Sequence, residues 1–324
     1  MAYAEHTITT IAEIPALVAD FAETLGWINS GVCVLQHPDY MGLGPGGLTF
    51  TVTGGGNILN VACSGPGNSA YVQAPVLGAV PGTSPAPTKL FLIGMMTPEP
   101  YIAIVIQFGY NSYRHMYLGF MEKIGDYEGG EIIGGHNGPH LAFTGGPLDW
   151  QSRGGVHTLF KGTQSLLVNS ANCGGVHVDH ADNPSHWRHF RTSGLSSQFF
   201  DPASMDGEEA IGGFGDGYND MFAARGRNNL AGAAVLSPIN LFATQPVTSE
   251  VRFRPIGRPA GIRLINIANL EPEATTSIST EVWHSFAALS KRSEITMPSS
   301  DGSTLARFRS YESSYHLGYA YRSE

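Results

Sequence analysis

Charge is scarce in this sequence. Lys, Arg, Asp and Glu supply 14% of the 324 residues, against roughly a quarter in an ordinary globular chain. The 18 Lys and Arg are outnumbered by 27 Asp and Glu, giving a formal net charge of -9. That balance argues against electrostatic capture of nucleic acid, which needs clustered cations to displace counterions from phosphates. Arg252, Arg254, Arg258 and Arg263 are the nearest approach to a basic patch, and their spacing predicts the exposed face of a strand. Cysteine is scarcer still: Cys33, Cys63 and Cys173, with no C-x-x-C pair. A disulfide scaffold and a zinc ribbon are excluded. No run of 18 apolar residues is present, and the first residues show no basic stretch leading into an apolar one. The expectation is a soluble chain made in the cytoplasm, with no membrane insertion.

Glycine takes the place of charge, with 41 residues, and proline adds 20. Such a composition predicts short strands joined by many turns. IPALVADFAETLGW carries Ile14, Leu17, Val18, Phe21 and Leu25 at helical spacing, with Pro15 suited to the first turn and Gly26 to the stop. An amphipathic helix over 14–25 follows. GVCVLQHP, LTFTVTGG and NILNVACSG read as a strand meander, and 65–88, rich in Gly and Pro, as an extended arm. The most hydrophobic block, 89–127, predicts paired central strands at Tyr101–Phe108 and Arg114–Lys123. Residues 128–235 read as a loop-rich middle with short irregular strands, and GFGDGYNDMFAARGR within it as a loop entering a short helix. Strands return in 236–324, where NLEPEATTSIST reads as a turn and EVWHSFAALSKR as a strand followed by a turn. The expected fold class is α+β, mainly antiparallel β with an N-terminal amphipathic helix and long Gly/Pro-rich loops, as a single β-rich domain over 1–324.

Motifs for chemistry are weak. GLGPGG at 42–47 has Pro45 inside it and a strand after it, so it is not a dinucleotide turn, and no Gly-rich turn closes on Gly-Lys-Ser/Thr. No serine sits in a nucleophile elbow. Arg114 and His115 lie among aromatics, but without the glycine and aromatic pattern of an RNA-binding sheet. Histidine is the exception: seven of twelve fall between His136 and His189, four of them in CGGVHVDHADNPSHWRHFR. His177, Asp179 and His180 are the metal candidates there, with Asp182 as a further oxygen. H-x-D-H lacks both the H-x-H partner and the helical H-E-x-x-H spacing, so the segment reads as a polar loop or a subunit contact that binds no essential metal. Cys173 beside His177 makes no thiol dyad by sequence proximity alone. Glu208, Glu209, Asp216 and Asp220 could supply a glycosidase carboxylate pair, since such pairs have no fixed sequence spacing, although acids on solvated loops are the plainer reading. No catalytic residue and no cofactor is expected.

At FGYNSYRHMYLGFMEKIGDYEGGEIIGGHNG, at the His-rich segment, at GRPAGIRLINIANLEP and above all at the closing TMPSSDGSTLARFRSYESSYHLGYAYRSE, the chain resembles a group of virion structural proteins of tailed double-stranded DNA bacteriophages. The resemblance implies a non-enzymatic subunit of the tail, tail tip or baseplate, or neck. Its partners would be copies of itself and other phage tail or neck proteins, in the virion, after synthesis in the host cytoplasm. Two alternatives stand beside it. One is a receptor-binding or adhesin module, using aromatics such as Trp150, Trp187 and Tyr218, which are also the interface candidates; the other is a virion-associated hydrolase of the cell envelope.

Overall fold

The hydrophobic block becomes the middle of the fold: all eight residues of Tyr101–Phe108 are buried. A strand is apolar on both sides only when both faces of its sheet are covered. In the computed structural model both are. The structure describes residues 2–39, 47–55, 58–64, 71–73, 86–108, 112–125, 130–135, 175–180, 183–190, 236–238, 241–247, 250–266, 273–278, 280–287 and 317–324.

Along the chain, β1 (Tyr3–Thr7) leads through a 3-10 turn (Ile11–Glu13) into α1 (Ile14–Leu25). Next come β2 (Ile28–Asn29), β3 (Val34–Gln36), β4 (Thr49–Gly55), β5 (Ile58–Ser64), β6 (Tyr71–Gln73), β7 (Pro87–Met95), β8 (Tyr101–Phe108) and β9 (Ser112–Lys123). After these lie β10 (Glu131–Gly135), β11 (Gly175–His180), β12 (Asn183–Phe190), β13 (Leu236–Pro238), β14 (Leu241–Val247) and β15 (Glu250–Pro259). The remaining strands are β16 (Ile262–Asn266), β17 (Ala274–Ile278), β18 (Glu281–Ala287) and β19 (Leu317–Arg322).

They build three sheets, every described pairing antiparallel. The large sheet has nine strands on the path β1-β7-β8-β9-β10-β11-β12, with β15 joining β9 and β14 joining β15. An N-terminal sheet runs β2-β3-β4-β5-β6, and a C-terminal sheet runs β13-β16-β19-β18-β17. The described core is thus mainly antiparallel β with one short helix.

The 3-10 turn that leads into the helix begins where Glu13 Oε1 accepts the Thr10 N–H at 2.8 Å, in a capping box. The helix stops at Gly26, whose φ of 102° is left-handed and free of cost only for glycine. Ile14, Val18, Phe21 and Ala22 form its buried stripe. That stripe packs with Leu35, Phe50, Val52 and Val61 of the N-terminal sheet against Leu90, Leu92, Ile104 and Leu118 of the large sheet. The opposite face of the large sheet meets the C-terminal sheet through rings. Phe91 and Phe286 have centroids 5.0 Å apart, and His115 and Tyr319 5.1 Å.

The helix, the meander and the paired central strands lie where the sequence predicts them. Three expectations need correction. The arm over 65–88 is not wholly loop: β6 pairs with β5, and β7 starts at Pro87. NLEPEATTSIST contains a strand, β17, at the edge of the C-terminal sheet beside β18, with Thr275 and Ser277 alternating on its exposed face. Of the arginines whose side chains are placed, Arg263 does not lie on an exposed face. Arg258 binds Glu122, and Arg263, with its side chain only 15% exposed, stacks its guanidinium 5.5 Å from the centre of the Trp283 ring. The hydrophobic and C-terminal strand blocks do pair, at Gly257↔Lys123 between β15 and β9. The segment 213–227 lies outside the described residues.

Candidate functional site

The polar side chains with the most chemistry lie in the seam between the large and C-terminal sheets. Strand alternation makes the seam: Tyr113, His115 and Tyr117 share one face of β9, while Tyr319 and Tyr321 share one face of β19. All five are buried. His115 Nδ1 lies 2.8 Å from the Tyr321 hydroxyl. Burial raises the Tyr321 pKa well above the ordinary phenol value, so the hydroxyl stays protonated and can donate to the imidazole. Tyr101 donates to the Arg322 carbonyl, and the Tyr117 hydroxyl stands 3.0 Å from the Ala260 carbonyl. Each ring therefore ties β8 or β9 to a strand or turn from the C-terminal third of the chain.

A second cluster closes one side of the seam. Glu273 sits in a left-handed turn residue, φ 61°, just before β17. Its Oε1 accepts from Tyr113 and from Gln107 Nε2, both at 3.0 Å. Lys89 Nζ is 3.5 Å from Glu273 Oε2 and 2.8 Å from Glu5 Oε1, which joins β1, β7 and the turn before β17. The hydrogen bond to Glu5 raises the Lys89 pKa, with the Glu273 charge adding to it. A protonated ammonium is no nucleophile, so Lys89 acts here as an ionic cross-link. His284 lies nearby on β18. It stacks on Tyr3 with centroids 4.1 Å apart, and its Nε2 is 3.0 Å from Ser323 Oγ.

No protein-family model matches the chain, and no curated protein is similar to it.

The residues singled out by sequence fall elsewhere. His177, Asp179 and His180 lie on β11, and Trp187 on β12, in a hairpin at the end of the large sheet. The hairpin sets His177 opposite His189 and Asp179 opposite Trp187, while a register shift leaves His180 opposite Asn183. Trp150, Tyr218, Glu208, Glu209, Asp216, Asp220, Asp182 and Cys173 lie outside the described residues. Among the described residues whose side chains are placed, no three His, Cys, Asp or Glu gather in a metal-binding group, and no helix is long and apolar enough to cross a membrane.

Sequence reasoning missed Lys89, Gln107, Glu273 and the His115–Tyr321 pair. The alternating rings of Y-R-H-M-Y and Y-A-Y were the available signal, since rings at i, i+2 and i+4 mark one face of a strand. Nothing local announces Glu273, whose partners Gln107 and Lys89 are 166 and 184 residues away.

Proposed function

We propose that this chain is a non-enzymatic structural subunit of a tailed bacteriophage virion, in the tail, the tail tip or baseplate, or the neck. It works as one β-rich unit through contacts between copies arranged in a ring. The virion assignment rests on the sequence resemblance, most specific at the closing segment that ends in GYAYR. The non-enzymatic part rests on one observation of the fold. The buried imidazole–phenol pair and the Lys89–Glu273 cluster are engaged in joining one sheet to another. Groups committed in that way hold a shape. Low charge fits the same reading, because a subunit that covers much of its surface with neighbours must desolvate little charge to do so.

The test is assembly. Mass photometry of the purified chain and proteomics of purified particles are expected to show a multimer in solution and the chain in the virion. A soluble monomer that is absent from particles would overturn the proposal.

A further inference from the structure

We propose that one side of the molecule, where β1 edges the large sheet and β17 edges the C-terminal sheet, is the contact for a second copy of this chain, joined strand to strand about a two-fold axis. The observation that carries it is a pair of open edges. On β1, the Ala2 carbonyl accepts from the Gly94 N–H and the Ile8 N–H donates to the Thr88 carbonyl, so the bonds to β7 fall at even-numbered positions. The backbone groups of Tyr3, Glu5 and Thr7 therefore turn away from β7. On β18, the Val282 carbonyl accepts from the Ser323 N–H, which sends even positions toward β19 and odd ones toward β17. Their partners on β17 are Ala274, Thr276 and Ile278, and the backbone groups of Thr275 and Ser277 turn outward. Among the described residues no strand pairs with either edge, and Glu5, Thr7, Thr275 and Ser277 are exposed.

The two edges run side by side. His284, opposite Thr275 in the β17–β18 register, stacks on Tyr3 with centroids 4.1 Å apart. Further along β1, Lys89 ties Glu5 to Glu273, which stands just before β17. Stacked sheets lie about 10 Å apart, so whatever fills this side must bring two extended strands at that spacing. A single added peptide strand would fill one edge and leave the other open. The same side of a second copy brings both strands, already held together by the Tyr3–His284 stack and the Lys89 bridge. A two-fold axis normal to the sheets then sets β1 antiparallel to β1 and β17 antiparallel to β17.

The residues on these strands add a second argument. Edges that must stay free are blunted by proline, lysine or a bulge. YAEHT and ATTSI contain neither proline nor lysine, and both registers run without a shift. The one acidic or basic side chain on the two strands is Glu5, and Lys89 lies 2.8 Å from it. A β1 register centred on Ala4 sets Glu5 opposite Tyr3 of the second copy. Both are outward residues, so each pair exchanges two main-chain bonds, and no like charges are opposed. This contact closes on a pair of copies, so it stands beside the ring contacts of the virion role and does not supply them.

The test uses the full-length chain. Sedimentation velocity over a concentration series is expected to show dimers as the first species formed, with amide hydrogen exchange at Tyr3, Glu5, Thr275 and Ser277 slowing as they form. Glu5→Pro combined with Ser277→Pro removes two outward donors that no bond within the chain uses, which an edge strand tolerates. This variant should weaken association about 10-fold or more. Glu5→Gln keeps the donor and should associate as the parent does. If the double proline variant unfolds, Ser277→Lys sets a charge on the same edge and should weaken association in its place. A parent that stays monomeric, exchange at these amides that ignores concentration, or a folded edge variant that associates like the parent would overturn the contact. So would an equal loss in Val32→Lys, which alters an exposed apolar residue between β2 and β3. A dimer absent from particles fails the virion role alone, and a purified monomer found in particles fails this contact alone.

Discussion

Tyr101 shows how closely single residues are fitted. Its ring is boxed in by backbone: a Cβ on Gly261 would lie 2.1 Å from the ring, and one on Gly119 2.5 Å from the Tyr101 Cβ. Gly261 also has a φ of 60°, in the left-handed region, so the turn between β15 and β16 needs a glycine for two reasons at once. Gly261→Ala should destabilise the chain by more than the roughly 1–2 kcal/mol that left-handed backbone costs, because the ring must also move and Tyr101 would then lose its bond to Arg322. Thermal unfolding measures this. A midpoint equal to the parent's would show that the turn tolerates a side chain. In the sequence, Gly261 was one of 41 glycines with nothing to set it apart, because its constraint comes from a tyrosine 160 positions earlier.

Among the elements, legibility followed burial. The whole of β8 could be read from its sequence because a strand covered on both faces is a continuous apolar run. The helix was readable from its stripe, its proline and its terminal glycine. Hidden elements were edge or short strands, such as β17 and β6, whose polar or Gly/Pro-rich surroundings match turn composition. The site behaves in the same way: Glu273 meets Gln107 and Lys89 across 166 and 184 residues, and composition does not encode that. The seam also separates strong from weak contributions. Phe286 on β18 is 1% exposed and meets Phe91 and Tyr113, whereas the Lys89–Glu5 pair is 37% and 42% exposed. Phe286→Ala should cost about 3–5 kcal/mol, and Lys89→Ala less than about 1 kcal/mol, since exposed ion pairs are screened. Denaturant unfolding of both variants checks the ranking. Equal losses would mean that the ionic cross-link contributes as much as the rings to holding the sheets together.

For the whole molecule, two partly desolvated imidazoles make stability depend on pH, His284 in the seam and His37 beside Trp27 and Phe120. Burial lowers the pKa of His284, against a smaller opposing effect of Glu324, and burial likewise lowers that of His37. Below the ordinary imidazole pKa of about 6.5, the unfolded chain therefore binds more protons at these sites than the folded one. Stability rises with pH across that window and is lost as pH falls from about 6.5 through the folded values. The unfolding midpoint is expected to be lower at pH 5.5 than at pH 7.5, with the difference narrowed in His284→Gln. A midpoint that rises on acidification would contradict the placement of His284 between Tyr3 and Ser323.

The position of β19 between β16 and β18 also sets a schedule. Ile262 pairs with Tyr321, so the C-terminal sheet cannot close until residues 317–322 have left the ribosome. Until then, β16 and β18 each carry an open hydrogen-bonding edge that another chain could capture. Closing so long a loop is slow relative to local pairing, and the large sheet, whose β7, β8 and β9 pair in sequence order, is free to form first. β19 then completes the seam in one step, bringing Tyr321 and Arg322 to partners on β9 and β8 that lie 206 and 221 residues earlier in the chain.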